Sequence, residues 1–519
     1  MDSKQYILSP LEAYTAAQKW RVVKRSVDAR QRELKVHLTV LTDDAGKPVA
    51  KDAPIPLYEP PVFQDVHNAS RSAIIIGAGP AGLFAALTLI EHGIKPIIYE
   101  RGKEVSERKK DIALLNRNEG LNPESNYCFG EGGAGTFSDG KLFSRSKKRG
   151  NMQRVMELFH FFGAPDTVLY EAHAHIGSDK LPSIIKNIRD CILSHGGEIH
   201  FNTKIESLST FNFQLSTTPI ILAIGHSAHD TYRMLAAEGV ALETKGFAMG
   251  VRAEHPQALI NRLMYHLKPH LTSPQWRNTP LEGEKEGVLK YVGNASYSLV
   301  TQVDGRGVYS FCMCPGGHIV PAGSTPDTCV VNGMSASHRN SPFANSGMVV
   351  QINPEDIPGS DPLRGLEYQE ALEQLAFMQA SQISNIKYQI SNSSAAPAQR
   401  MKDFVESRPS KDLPPCSYLP GIVPSRLDLW LPPHIGKRLQ QGFRDFDRKY
   451  PGFLTNDAVI LGVESRSSSA VRIPRDPETL QSVSTPGLYP CGEGAGYAGG
   501  ITSSALDGIN AALKIAALA

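Results

Sequence analysis

Ala73-Ile-Ile-Ile-Gly77-Ala-Gly79-Pro-Ala-Gly82-Leu-Phe-Ala-Ala runs from an apolar segment through three glycines into a helical apolar pattern that reaches about His92. This order predicts the strand, turn and helix of a dinucleotide-binding unit. Gly77 would turn the chain off the strand, Gly79 would let a pyrophosphate approach the backbone, and Gly82 would let the helix pack close to the sheet. The helix N-terminus would then present free N–H groups and a positive dipole end to the phosphates.

The residues that follow favour this interpretation over a chance glycine turn. Lys95–Tyr99 predicts a second strand, and Glu100 stands at its end, about 20 residues after the glycines. An acid at this point can accept hydrogen bonds from both hydroxyls of an adenosine ribose.

Length and composition indicate an ordinary globular protein. The 519 residues are enough for two or three domains, and the net charge of +2 gives no reason to expect a nucleic-acid or membrane surface,. Seven cysteines form an odd, sparse set, which fits a reducing compartment better than a disulfide framework. With no apolar run long enough to span a bilayer and no visible secretory signal, we expect a cytoplasmic location.

The pattern of elements predicts an α/β fold with three parts. A Rossmann-like nucleotide-binding domain would be discontinuous, formed by residues 71–235 and 457–519. A mixed α+β substrate domain would be inserted over 236–456, and a small α/β unit would precede both over 1–70,.

Particular segments support this division. Leu363–Ile383 and Pro433–Lys449 read as helices of the insertion, and Ala458–Val463 reads as the strand with which the nucleotide-binding domain resumes,. The small unit is expected to pack on the body or to bind a partner. It carries a basic cluster that is either a solvated face or a receptor for an anionic ligand, formed by Arg21, Lys24, Arg25, Arg30 and Arg32,.

A second glycine-rich segment spans Tyr127–Leu142 and contains Gly130-Glu-Gly-Gly-Ala-Gly-Thr-Phe-Ser-Asp-Gly-Lys141. So many glycines beside small hydroxyls exclude a regular helix or strand. They predict a loop that folds over a flat or phosphorylated ligand through backbone N–H groups. The alternative is a flexible surface loop, which would leave Phe129 and Phe137 in solvent.

The same strand-to-glycine pattern occurs twice more. Leu222-Ala-Ile-Gly225 ends an apolar strand with a glycine, and Leu488-Tyr-Pro-Cys-Gly492-Glu493 ends another with glycine and an acid. Gly499-Gly500-Ile501 then opens a last helix. Its positive end could stabilise negative charge on a bound ring.

Taken together, these motifs resemble those of FAD flavoproteins of the glutathione-reductase superfamily. More narrowly, the chain is similar to bacterial and plastid proteins known as FAD-dependent dehydrogenases, a likeness that includes Phe311–Gly317, Glu464–Arg472 and Gly496–Ile501. In the superfamily an acid after the last strand holds the ribityl chain. The acid here is Glu493 where many relatives have Asp, so a backbone contact from this loop is equally plausible. With the resemblance, the cofactor-binding candidates are Gly77, Gly79, Pro80, Ala81, Gly82, Glu100, Arg101, Gly132, Gly133, Gly135, Thr136, Ser138, Asp139, Lys141, Ala223, Gly225, Gly492, Glu493, Gly499, Gly500 and Ile501.

The resemblance implies an FAD-dependent oxidoreductase that passes hydride or electrons between the flavin and an unidentified small organic substrate. No second complete dinucleotide-binding domain is evident in the sequence, so NAD(P)H could act only as a transient reductant. The alternatives are a flavin-bearing scaffold or RNA-associated protein, and an isomerase or hydratase that uses FAD structurally.

The candidate catalytic residues are Glu464, Arg466 and Arg472, which precede the last glycine motif. An arginine here could bind an anionic substrate or pair with an acid, and Glu464 could carry a proton or be the partner of an arginine. Cys312 and Cys314 are expected to pack near the flavin pocket, with a thiol role as the alternative, and no second Cys/His pair has metal-ligand spacing,.

Overall fold

The computed structural model describes residues 2–31, 33–54, 56–143, 150–211, 218–267, 284–388 and 394–518. The strands are β1 Asp2–Leu8, β2 Val22–Asp28, β3 Lys35–Thr42, β4 Ser72–Ile76, β5 Lys95–Tyr99, β6 Glu198–His200, β7 Ile220–Leu222, β8 Glu243–Thr244, β9 Phe247–Pro256, β10 Val300–Val303, β11 Arg306–Cys314, β12 His318–Pro321, β13 Val331–Met334, β14 Phe343–Ile352, β15 Ala396–Arg400, β16 Ile422–Pro424, β17 Val459–Glu464, β18 Val471–Arg472 and β19 Leu488–Pro490. The helices are α1 Pro10–Lys19, α2 Pro80–Glu91, α3 Val105–Asn116, α4 Met152–Phe161, α5 Thr167–Tyr170, α6 Leu181–Ser194, α7 His229–Ala237, α8 Gln257–Met264, α9 Glu284–Val292, α10 Arg364–Tyr388, α11 Met401–Val405, α12 Leu427–Trp430, α13 Pro433–Lys449 and α14 Ile501–Ala516.

A five-stranded sheet carries the glycine motifs. Its order is β6-β5-β4-β7-β19, and every pair is parallel. Numbered along the chain these strands run 3-2-1-4-5, so the strand order reverses between β4 and β7, where ligands bind in open α/β sheets. Strands β4, β7 and β19 are almost entirely buried, as expected where helices cover a parallel sheet. Helix α14 packs so tightly on α2 that a Cβ on Gly508 would lie 2.0 Å from the carbonyl oxygen of Ala81.

A seven-stranded sheet forms the second body. Its order is β10-β11-β14-β9-β17-β15-β16, antiparallel except for the pair β15–β16. The largest apolar cluster lies against it, beneath α13 and around Met249, Val251, Met348 and Leu461. Two-stranded sheets β12–β13 and β8–β18 connect this body to the glycine loops.

The strand at 459–464 corrects the sequence-based boundary at 456/457. β17 does not belong to the parallel sheet; it lies between β9 and β15 and pairs antiparallel with both. Its six residues are all buried, and a short run buried on both faces looks the same in either sheet. The second sheet therefore extends through Glu464.

Other expectations about the elements hold. The predicted helix Pro433–Lys449 is α13 with the same bounds, and the predicted helix 363–383 is α10. The small unit is an antiparallel sheet ordered β1-β3-β2 with α1 packed on it, and alternate residues of β3 are buried. Within the described ranges, none of the helices has the length and apolar character needed to cross a bilayer.

Candidate functional site

Three glycine-rich segments meet at the carboxyl edge of the five-stranded sheet. The N–H of Gly132 donates to the carbonyl oxygen of Ala78 at 2.8 Å, which joins the loop after α3 to the turn after β4. A Cβ on Gly492 would lie 3.0 Å from that of Ala81, which brings the segment after β19 to the same place. Three segments that lie far apart in the sequence therefore converge at one edge of the sheet.

Two glycines of the turn after β4 are required by the packing of the protein itself. Gly77 has φ +105°, and a Cβ there would lie 2.4 Å from the carbonyl oxygen of Ala223. A Cβ on Gly82 would lie 2.0 Å from the carbonyl oxygen of Gly77. Both positions exclude a side chain because backbone lies against backbone.

Other glycines at this edge face open space instead. The nearest atom to a Cβ on Gly79 would be Cα of Gly133 at 3.8 Å, an ordinary contact. For Gly225, Gly499 and Gly500 no described atom would lie within 4 Å. Gly79 and Gly500 are also the N-caps of α2 and α14, and neither helix has a side-chain cap. Free N–H groups at two helix N-termini beside this space suit the phosphates and the ring of a dinucleotide.

Glu100 fastens the turn to the loop. Its carboxylate is buried and accepts hydrogen bonds from the N–H groups of Ala78 at 2.8 Å, Gly102 at 2.9 Å and Gly130 at 3.0 Å. A carboxylate offers about four acceptor positions, so roughly one is left. Fewer free acceptor positions therefore remain on Glu100 than two ribose hydroxyls would use.

Arg108, which sequence reasoning missed, organises the loop over 126–136. Its fully buried guanidinium donates to the carbonyl oxygens of Asn126, Tyr127, Gly130, Glu131 and Gly133 at 2.8–3.2 Å. Burial lowers its pKa to about 10, against the opposing effect of nearby acids. The carbonyl oxygens of the loop point towards this guanidinium, and these hydrogen bonds hold the loop in one shape beside the turn.

Glu131 is the buried acid of the same loop. Its Oε2 accepts from the N–H of Val105 at 2.7 Å and from Arg189 at 2.9 Å, whereas Oε1 has no hydrogen-bond partner among the described residues. Burial raises the pKa of Glu131 to about 7, although Val105 and Arg189 oppose the shift. Near neutral pH this loop therefore contains a carboxyl group that is partly protonated.

Several predicted cofactor contacts are occupied by protein partners. Arg101 forms ion pairs with Asp230 at 2.8 Å and Glu124 at 2.6 Å, and buried Asp139 pairs with Arg339. The remaining hydroxyls and amine of the loop also bond within the protein: Thr136 donates to the carbonyl oxygen of Glu131, Ser138 to that of Gly135, and Lys141 to that of Met313.

The segment after β19 combines protein contacts with exposed backbone. The N–H of Gly492 donates to Asp507 in α14 at 2.7 Å, and Oε2 of Glu493 lies 3.4 Å from Nδ1 of His226. A Cβ on Gly135 would lie 2.9 Å from Cγ1 of Ile501, so the loop after α3 also touches the start of α14.

The candidate catalytic residues divide into two kinds. Glu464 pairs with Arg252 at 3.1 Å and Arg466 with Glu373 at 2.8 Å, all four side chains being almost fully buried. Burial raises the pKa of Glu464 to about 7, although Arg252 opposes the shift. Both residues thus have charged protein partners, which sequence spacing could not reveal because those partners lie far along the chain.

Arg472 behaves differently. Its Nε is buried and has no hydrogen-bond partner among the described residues, and its guanidinium carbon lies 5.5 Å from the centre of the Tyr497 ring. Arg475, by contrast, pairs with Asp507 at 2.7 Å and lies 3.9 Å from the same ring.

Cys312 and Cys314 lie at an irregularity between β11 and β14. Sγ of Cys314 is 3.5 Å from Arg252 and 3.9 Å from Nζ of Lys141, so the pair touches the end of the glycine loop. A hydrogen bond from Cys314 lowers the pKa of Cys312 well below its usual value despite burial, and Lys141 and Arg252 act in the same direction.

The basic cluster of the small unit is dispersed. Arg25 pairs with Glu171 at 2.6 Å, whereas Lys24 and Arg30 line a cleft of about 790 Å³ between this unit and the second body. Arg32 lies outside the described residues.

Comparison with known proteins identifies the family. The profile described as "FAD-dependent protein, C-terminal domain-like" matches residues 246–467, and that of an FAD binding domain matches 71–124. An uncharacterized protein of Clostridium beijerinckii is 40% identical over 518 residues, covering 95% of this chain and 91% of that protein. The chain belongs to this family of FAD-dependent proteins. The family's C-terminal domain ends just beyond β17, in agreement with the corrected boundary.

The chain also has low similarity to solved structures of flavoproteins. Halogenase PltM is 13% identical, with 86% of this chain and 68% of that chain covered and a TM-score of 0.32. The open form of a flavocytochrome c3 fumarate reductase is 10% identical, with 86% and 79% covered and a TM-score of 0.32. Likenesses this weak say nothing about the reaction of the present chain.

Proposed function

We propose that this protein is an FAD-dependent oxidoreductase acting on a small organic substrate. The observation that carries the proposal is the meeting of the three glycine-rich segments at the point where the parallel sheet reverses its strand order. This strand order is that of the Rossmann fold, in which the crevice at the reversal receives a dinucleotide. Because the chain belongs to a family of FAD-dependent proteins, we propose FAD as the dinucleotide.

In this proposal, specific groups of the chain hold each part of the cofactor. The N–H groups at the start of α2, beside the open space at Gly79, bind the pyrophosphate. The free acceptor position of Glu100 receives one ribose hydroxyl. Gly499 and Gly500 admit the ring close to the backbone, and the positive end of α14 favours negative charge on it.

Bound FAD would supply the redox chemistry, as an acceptor or donor of hydride or electrons. The chain contributes position and electrostatics. Arg108 keeps the 126–136 loop in one shape, and Gly135 against Ile501 closes that loop onto the start of α14. The second body, through the sheets β12–β13 and β8–β18, forms the walls of the substrate pocket. These walls bind the substrate and keep water out.

Cofactor content is the first test. The purified protein should be yellow and contain about one FAD per chain, as expected for a single dinucleotide site. Gly79→Val should lose most of this FAD because its methyl groups fill the pyrophosphate space. Gly307→Ala in β11, where a Cβ would also make only ordinary contacts, is the matched control and should keep it. Retention of FAD by Gly79→Val would contradict the assignment.

Redox turnover is the second test. Under anaerobic conditions, a set of small organic metabolites together with NADH and NADPH is screened for bleaching of the flavin absorbance, followed by reoxidation on admission of an acceptor. At least one compound should bleach and recover repeatedly. Flavin that is never reduced by any compound, or co-purifying nucleic acid with poorly cycling flavin, would contradict the oxidoreductase assignment.

A further inference from the structure

Two cations, Lys245 and Arg472, lie next to the last glycine loop, and within the described ranges neither forms an ion pair with a carboxylate. Lys245 follows β8, and Arg472 ends β18, which pairs with β8. A Cβ on Gly496 would lie 3.2 Å from both Cδ of Lys245 and Cα of Arg472. The two residues and the loop leading to Gly500 therefore converge on one place.

The other charges of this region are satisfied within the protein. Arg466 and Arg475 each have a buried carboxylate partner. By contrast, no described carboxylate lies within 4.0 Å of Lys245 or Arg472: Glu493 is in contact with His226, and Glu243, opposite Arg472 in the strand pair, is exposed.

The donors of the pair are only partly used. The Lys245 ammonium donates to the carbonyl oxygens of Gly246 at 3.2 Å and Ser469 at 3.4 Å, both long contacts. The Nε of Arg472 is buried with no acceptor among the described residues. Burial lowers the pKa of Lys245, and repulsion from Arg472 adds to this effect while Glu493 opposes it.

Two neighbouring, partly buried like charges destabilise the site unless an anion lies between them. A guanidinium offers a planar fork that matches a carboxylate, and an ammonium adds a compact point charge. The guanidinium carbon of Arg472 lies 5.5 Å from the centre of the Tyr497 ring, which is within the range of a cation–π contact.

We infer that Lys245 and Arg472 form a subsite that binds the carboxylate of a small organic-acid substrate at the loop preceding α14. The inference rests on the proposed function, because this loop is also the one assigned to the flavin ring. It gives the substrate class: an organic anion, held through its carboxylate with its reacting carbon directed towards the ring.

The test uses malonate as the carboxylate probe and inorganic phosphate as the alternative oxyanion. Binding is measured as the rise in Tm and, in parallel, as perturbation of the flavin spectrum, on protein whose FAD content has been determined. Malonate should bind the parent protein, and Lys245→Met and Arg472→Met should each weaken it about tenfold or more, as expected for loss of a charged hydrogen-bond donor.

Two further variants separate a binding role from a structural one. Arg472→Lys keeps the charge and should restore part of the affinity. Lys514→Met, at the far end of α14 where the lysine is exposed, about 20 Å from its start at 1.5 Å per residue, should bind malonate like the parent.

The outcomes are distinct. Malonate binding unchanged in Lys245→Met and Arg472→Met, absence of any malonate effect on FAD-loaded protein, or binding of phosphate in preference to malonate would each overturn the inference. Protein that contains no FAD but shows charge-dependent malonate binding by Tm would overturn the proposed function and leave the subsite standing.

Discussion

The turn after β4 and the loop over 126–136 lie against each other but are held by different forces. In the turn, Gly77 and Gly82 let backbone pack directly on backbone. In the loop, the side chain of Arg108 gathers five carbonyl oxygens around one buried cation. The close backbone packing within the turn thus needs only glycines at the right spacing, whereas the carbonyl groups of the loop depend on a side chain supplied by α3.

If the turn and the loop are held in these two ways, the largest loss of stability is expected on substitution of Arg108. Arg108→Met should lower the free energy of unfolding by about 4 kcal/mol or more, because several buried carbonyl oxygens lose their donor, and it should abolish FAD binding. Urea unfolding and FAD content are the measurements. Arg117→Met, at the exposed end of the same helix, is the control and should resemble the parent; equal stability of the two variants would remove the distinction between turn and loop.

In the turn, Gly82→Ala tests backbone packing. Its methyl group would lie 2.0 Å from the carbonyl oxygen of Gly77, and we expect a loss of about 3 kcal/mol, as for overpacked sites. Gly436→Ala in α13 meets its nearest neighbour, Cβ of Leu431, at 3.7 Å and should be neutral or stabilising by up to about 1 kcal/mol. Thermal unfolding of the two variants measures this difference in stability. A Gly82→Ala protein that is as stable as Gly436→Ala would contradict the packing argument.

The pH dependence of stability sharpens the description of the loop. Burial raises the pKa of Glu131 from 4.5 to about 7, so its contribution to stability is fully present below pH 4.5 and is lost as the pH rises through about 7. The upper limit of this contribution is about 3 kcal/mol. Glu131→Gln should flatten the fall in the free energy of unfolding between pH 5 and 8.

The control for this experiment is Glu59→Gln, which alters an exposed acid and should leave the slope unchanged. Part of the slope will remain in Glu131→Gln, because burial also raises the pKa of Glu254 and of Glu464 to about 7. A parental slope in Glu131→Gln would show that the loop carries no titrating acid in this range.

The smallest effect is expected at a glycine that faces open space. Gly499→Ala has no described atom within 4 Å of its methyl group, so the stability of the FAD-free protein should stay within about 0.5 kcal/mol of the parent. Its affinity for FAD should fall about tenfold, as for a methyl group that crowds a bound ligand by roughly 1.4 kcal/mol. If a fluorescence titration shows the same FAD affinity for Gly499→Ala and for the parent, the flavin ring does not lie against Gly499.

The sequence alone predicts those parts of the fold that depend on residues close together in the chain. Gly77, Gly79 and Gly82 predicted the turn and its helix, and the periodicity over Pro433–Lys449 predicted α13 with its observed bounds. The sequence places β17 in the parallel sheet, which is wrong, because the pattern of a short apolar strand contains no information about the strands with which it pairs.

The site could be predicted only in its backbone component. The glycines that converge on the sheet edge were recognised from spacing, but the partners of the charged residues were not. Glu373 lies 93 residues before Arg466, and Arg252 lies 212 residues before Glu464. Such pairings depend on which strands become neighbours in the second sheet and on where α10 packs, and neither propensity nor periodicity determines either.

The strand order of the parallel sheet bears on how the molecule matures in the cell. β19 and α14 complete that sheet and its cofactor edge, yet a ribosome delivers them only after the whole 246–467 segment. Until then β7 is an edge strand that pairs with β4 alone, and an open strand edge is a template for aggregation; α2 also lacks the helix that packs on it. The sheet edge that carries the glycine motifs is therefore incomplete until the 246–467 segment has been synthesised and the strand beyond it has paired with β7.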